Sequence, residues 1–131
     1  MKLSPVVDKL GWNEENLSEL RVTGYSFFLQ GKYQIASLYF ETLIRLAPES
    51  AYDHQVLGAL YLESNEDEMA IEVLDHALEL DPSHNPTKLN KAKALIMLDR
   101  KEEAIKLAKE LMKAGDKRIA NVAEALVLSH S

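Results

Sequence analysis

Apolar residues recur along the chain at spacings of three and four, and no stretch alternates apolar with polar as a half-buried strand does. The pattern predicts helices from end to end. Asn16 with Glu19, and Ser50 with Asp53, place a capping oxygen ahead of an apolar stretch with an acid three residues on. Asn85-Pro86 sets a cap residue before a proline in the first helical turn. Further helices are expected to open at Lys32, Glu66 and Arg100, each directly after Gly31, Asn65 or Asp99, residue types that tolerate the left-handed conformation that ends a helix. Ser4-Pro5 starts a brief helix or extended lead-in that finishes at Gly11-Trp12. At the other end Ile119, Val122, Ala123, Leu126 and Val127 fall at helical spacing from about Lys117.

These elements repeat. Gly24 recurs as Gly58, Ala36 as Ala70 and Ala104, and Pro48 as Pro82, each step 34 residues long. Large apolar residues keep the register: Phe27, Tyr61 and Leu95 are one period apart, as are Phe40 and Leu74, followed by the smaller Ala108. The chain therefore divides into a lead-in at 1–16, units at 17–50, 51–84 and 85–118, and a terminal helix at 119–131. Small residues where two helices cross, with bulky ones beside them, suit close antiparallel packing of a helix pair.

The sequence of Gly24, Phe27, Ala36, Phe40 and Pro48, then Leu57, Gly58, Tyr61, Ala70, Ala77 and Pro82, resembles the tetratricopeptide repeat family over about three quarters of the chain. The third unit keeps Ala92 and Ala104 but carries Gly115-Asp116 where the family has proline. Leu20, His54 and Lys88 stand where the family consensus has tryptophan. The resemblance implies an all-α fold: a right-handed superhelical stack of three helix-turn-helix units, with a short N-terminal segment and a C-terminal helix capping the open end. It also implies a concave groove lined by the first helix of each unit. The groove positions carry over to Arg21, Tyr25, Phe28 and Leu29, then Tyr52, Gln55, Ala59, Leu62 and Glu63, then Leu89, Lys93, Ile96 and Met97. Tyr25, Phe28 and Tyr52 are the expected anchors, because buried aromatics dominate such contacts. Arg21 and Lys93 are expected to select acidic rims on a ligand. Tyr25 and Ala59 replace part of the lysine and asparagine set with which some family members clamp a C-terminal carboxylate, so heat-shock chaperone tails are not expected ligands.

Composition narrows the function. The 131 residues are 47% hydrophobic and 27% charged, enough for one core without staples, and the absence of cysteine removes disulfides and thiolate sites. The net charge of -6 disfavours nucleic acid and anionic lipid as partners. The N-terminus shows no signal peptide and no segment is apolar enough to span a bilayer, so the expected location is cytoplasmic. His54, His76, His84 and His130 are too scattered for a metal site by spacing; the acidic run Glu63, Glu66, Asp67 and Glu68 lacks the form of a calcium loop. Lys88, Lys91 and Lys93 form a small basic strip, read as solubility or rim charge. No catalytic residues, metal or cofactor are expected.

Small acidic three-unit tetratricopeptide proteins with an aromatic groove resemble the cytoplasmic chaperones of bacterial type III secretion, which hold needle or translocator subunits before export. The resemblance implies a protein partner: an amphipathic helical or extended segment of a secreted subunit, with a second small co-chaperone as a further candidate. A homodimer, or a groove filled by the N-terminal segment, is the competing use of the same apolar residues. An adaptor that links components of a larger assembly is the alternative function.

Overall fold

Three left-handed residues divide the chain at equal spacing: φ is 75° at Gly31, 61° at Asn65 and 60° at Asp99. Each ends a helix with the same two bonds. The Gly31 N–H donates to the Phe28 carbonyl and the Lys32 N–H to the Phe27 carbonyl, both at 2.9 Å; Asn65 and Glu66 bond to Leu62 and Tyr61 in the same way, as do Asp99 and Arg100 to Ile96 and Leu95. The chain reverses within three residues and the next helix begins.

A computed structural model describes residues 2–131. Its helices are α1 (Pro5–Lys9), α2 (Glu14–Leu29), α3 (Tyr33–Leu46), α4 (Ala51–Glu63), α5 (Asp67–Leu80), α6 (Asn85–Met97), α7 (Lys101–Leu111) and α8 (Lys117–His130), with no strand among the described residues. The helices pair as α2–α3, α4–α5 and α6–α7. Contacts of α3 with α4 and of α5 with α6 join successive pairs into a superhelical stack, and contacts between α4 and α6 align first helices along one side. The third pair is closed by α8, which packs on α7 and α6.

Two of the expected caps form elsewhere. The start of α2 lies at Asn13 instead of Asn16: Asn13 Oδ1 accepts from the Glu15 and Asn16 N–H groups, and Asn16 Oδ1 accepts from the Asn13 N–H at 2.9 Å. An Asn-x-x-Asn pair performs the reciprocal capping usually done by serine and glutamate, so α2 starts before residue 17. At α6 the cap is His84 and Asn85 is already helical; His84 Nδ1 turns to the Thr87 hydroxyl at 2.7 Å. Ser50 caps α4 as expected, accepting from the Asp53 N–H. Asp116 Oδ1 accepts from the Arg118 and Ile119 N–H groups, which starts α8 at Lys117 and puts Lys117 and Arg118 in that helix instead of the third unit.

The pairs close tightly because glycine sits at the crossings. A Cβ on Gly58 would meet Leu74 Cγ at 2.6 Å, and one on Gly24 would meet Tyr39 Cβ at 2.8 Å. The larger core runs from Val7 through Phe40, Leu57 and Leu74 to Ala104; a second, around Leu89, Ala108, Leu111, Ile119 and Ala123, fastens α8. Helix α1 lies on the first core through Val7, held by the Ser4 N–H donating to the Leu46 carbonyl at 2.9 Å. The Tyr61 hydroxyl donates to Glu41 Oε1 at 2.8 Å between the first two pairs; burial, then this carboxylate, pushes its ionisation well above the ordinary phenol value.

Candidate protein-binding groove

The inner side carries two differing stretches. At its N-terminal end Tyr25 and Phe28 project from α2 with ring centroids 5.7 Å apart, and Phe28 meets Tyr33 edge-on at 5.9 Å. Tyr52, from the first turn of α4, leans on Phe40 at 6.3 Å but stays about half exposed. Partial burial, and after it the neighbouring Tyr25 and Asp53, raise the Tyr52 ionisation above its ordinary value, so its ring faces the groove as a neutral phenol. The result is an aromatic ledge with hydroxyl tips, the combination that suits a protein contact.

The second stretch is a cup of about 350 Å³ between α4, α6 and α8. Ala59, Leu62, Ile96, Met97 and Leu126 supply its apolar wall, and Glu63, Asn65, Asn90, Lys93 and His130 its polar rim. Helix α8 contributes Leu126 and His130, spaced by four and therefore on one face. The repeat register does not reveal these two residues, because α8 stands outside the repeat; their spacing was the available signal. Asn65 and Asn90 were missed for another reason: one was read as a turn residue and the other faces the cup only because α8 closes it.

The expected set is not uniform in this setting. Tyr25, Phe28 and Tyr52 share the ledge; Ala59, Leu62, Lys93, Ile96 and Met97 share the cup; Gln55, half-buried, lies on α4 between them. Leu29 is exposed at the C-terminal end of α2. Leu89 does not open to the groove: it is 9% exposed, packed in the core beneath α8. Arg21 is not free to select an acidic ligand. Its Nε and Nη2 donate to Asp53 Oδ1 and Oδ2, both at 2.8 Å, and Nη1 lies 3.7 Å from Glu14. The hydrogen bond to Asp53 holds the guanidinium proton more firmly than usual. Asp53 is fully buried, so this fork neutralises a carboxylate that would otherwise be desolvated without a partner.

Lys93 makes no ion pair among the described residues and is the cup's free ammonium. Lys91, by contrast, is bound to Asp75 at 2.8 Å, so the lysines of α6 do not act as one basic strip. Nothing in the described residues brings three or more His, Asp or Glu side chains together around a metal position. No helix is long and apolar enough to cross a membrane.

Over residues 29–111 the chain matches the family described as anaphase-promoting complex, cyclosome, subunit 3. No curated protein matches it in sequence. Among solved structures, the Yersinia enterocolitica type III secretion translocator chaperone SycD has a TM-score of 0.78 at 18% identity, covering 96% of this chain and 98% of SycD. PcrH, solved with the chaperone binding region of PopD, has a TM-score of 0.78 at 21% identity, covering 91% and 93%. The first tetratricopeptide domain of Spaghetti (RPAP3), solved with an HSP90 peptide, has a TM-score of 0.78 at 18% identity, covering 89% and 94%. At these identities the likeness is one of fold.

Proposed function

This chain belongs to the tetratricopeptide-type family described as anaphase-promoting complex, cyclosome, subunit 3, and from that premise we propose that it is a cytoplasmic chaperone of a type III secretion needle or translocator subunit. It holds an amphipathic segment of that subunit in its inner groove. The observation that carries this reading is the succession of an aromatic ledge and an apolar cup along the same side of the stack. A helical segment has apolar anchors at spacings of three and four, and successive anchors match the ledge and then the cup. Export cargo of this kind exposes apolar helical surface before assembly, and covering it prevents premature polymerisation. The fold shared with SycD and with PcrH supports the class of partner. The reading is non-catalytic and requires no cofactor.

Co-expression with a needle or translocator subunit tests it. A soluble complex is expected, in which Phe28→Ala or Met97→Glu weakens binding by about tenfold without loss of helicity. Cargo that aggregates regardless of this chain would sink the proposal. An adaptor would instead join folded partners and leave cargo solubility unchanged.

A further inference from the structure

Up to α6 the stack is tied by side chains as well as by packing. Arg21 grips Asp53 and Tyr61 reaches Glu41 between the first two pairs, and Lys91 meets Asp75 at 2.8 Å between the second and third. Inside the second pair the His54 and His76 rings stack at 4.4 Å. Helix α8 has no such tie. Its side-chain hydrogen bonds stay within 116–131, and among the described residues no ion pair joins it to another helix. It buries only Ile119 and Ala123, whereas α4, of similar length, buries Val56, Leu57, Leu60 and Tyr61 among others. Those two residues meet Leu89, Ala108 and Leu111 in the smaller core, apart from the larger one that joins the three pairs.

The connection and the seam of α8 differ in the same sense. The chain leaves the first two pairs through Pro48 and Pro82, whose rings fix φ, but leaves the third through Gly115-Asp116. A Cβ at Gly115 would meet nothing within 4 Å. Along the α6–α8 seam a recess of about 320 Å³ lies between Pro86 and Asn90 on one side and Arg118 and Val122 on the other. Asn90 also lines the cup, so the seam is open on both sides of that residue. We propose that α8 is a hinged wall of the cup, which swings as a unit about Lys113–Asp116 while the three pairs stay folded. Leu126 and His130 move with it, so the swing sets the width of the cup and the size of apolar anchor that the cup admits. Segments with few buried contacts open at a lower free energy than the whole fold, and ligand-receiving elements are drawn from them. The use of this motion in holding cargo rests on the proposed function of the groove; the motion itself does not.

Hydrogen exchange of the full chain tests the proposal. In the free protein the α8 amides are expected to exchange at least about tenfold faster than those of α4 and α5, at one rate along the helix. Sub-denaturing urea should accelerate α4 and α5 steeply and α8 little, because a local opening exposes little surface. Arg21→Met, which weakens the joint between the first two pairs, should accelerate α4 and α5 by about a hundredfold and leave α8 unchanged. Three results would each overturn the hinge: α8 exchanging as slowly as α4 and α5, a gradient of rates from His130 inward as simple fraying gives, or equal urea and Arg21→Met responses in all three helices. In a soluble complex with an exported subunit α8 should slow by about tenfold, and an unchanged rate there would overturn its place as a wall of the occupied cup. A subunit that forms no complex would count against the cargo reading, and the free-chain exchange would still decide the hinge.

Discussion

His54 and His76 lie in different helices of the second pair, yet their rings stack, and the environment of His54 has a consequence for pH. The Ser50 carbonyl can only accept, so at 2.8 Å it fixes the proton on Nδ1 of neutral His54. Burial lowers the His54 pKa below the ordinary imidazole value of 6.5; the Ser50 bond opposes this, His76 adds to it and Asp53 opposes it. Glu79 lies 3.7 Å from His76 at the outer edge. A depressed folded pKa means the unfolded chain binds the proton first. The associated stability is present above 6.5 and is lost as pH falls from there through the lower folded value. The melting midpoint is expected to fall between neutral pH and about pH 5, and to fall less in His54→Leu, which has the residue found at this register in the first pair. Equal slopes in the two proteins would exclude His54 as the cause. The sequence shows four dispersed histidines; their meeting follows from the antiparallel α4–α5 pair and could not be read from spacing.

At the scale of elements, helix ends were legible where the backbone itself demanded a residue type. Gly31, Asn65 and Asp99 were recognisable because a left-handed residue has few candidates. Side-chain caps were less so: the spacing of Asn16 and Glu19 pointed to a cap at Asn16, whereas the reciprocal bonds between Asn13 and Asn16 put it at Asn13. The left-handed turn gives a direct prediction. Asp99→Gly should be neutral or stabilising by up to about 1 kcal/mol, and Asp99→Val destabilising by about 1–2 kcal/mol, because a branched Cβ clashes in that conformation. Urea denaturation measures both, and the same order of stability for the reverse substitutions would contradict the turn geometry. Helix α8 shows the limit of reading by element. Its apolar spacing announced a helix, but that Leu126 and His130 complete the cup depends on the angle at which Asp116 launches it.

Across the molecule, the first and second pairs are joined by the Arg21–Asp53 fork as well as by the core. The sequence reading assigned Arg21 to a ligand and Asp53 to a cap, because each has that role locally. Packing placed them opposite each other across 32 residues of chain. Removing only the cation leaves a buried carboxylate unpaired, so Arg21→Met is expected to cost about 3 kcal/mol, while Arg21→Met with Asp53→Leu should recover much of it. Calorimetry of the single and double variants checks this; equal loss in both would mean that side-chain volume, not charge, joins the pairs.

The amino-acid sequence alone determined the repeat, its helical character and its turns. Those properties arise from local backbone sterics and from a hydrophobic period, both written within one 34-residue unit. Tertiary structure alone decided which charges neutralise each other and how α8 extends the groove. These depend on distances between residues in different helices, set by helix crossing and by the glycines that let the helices approach.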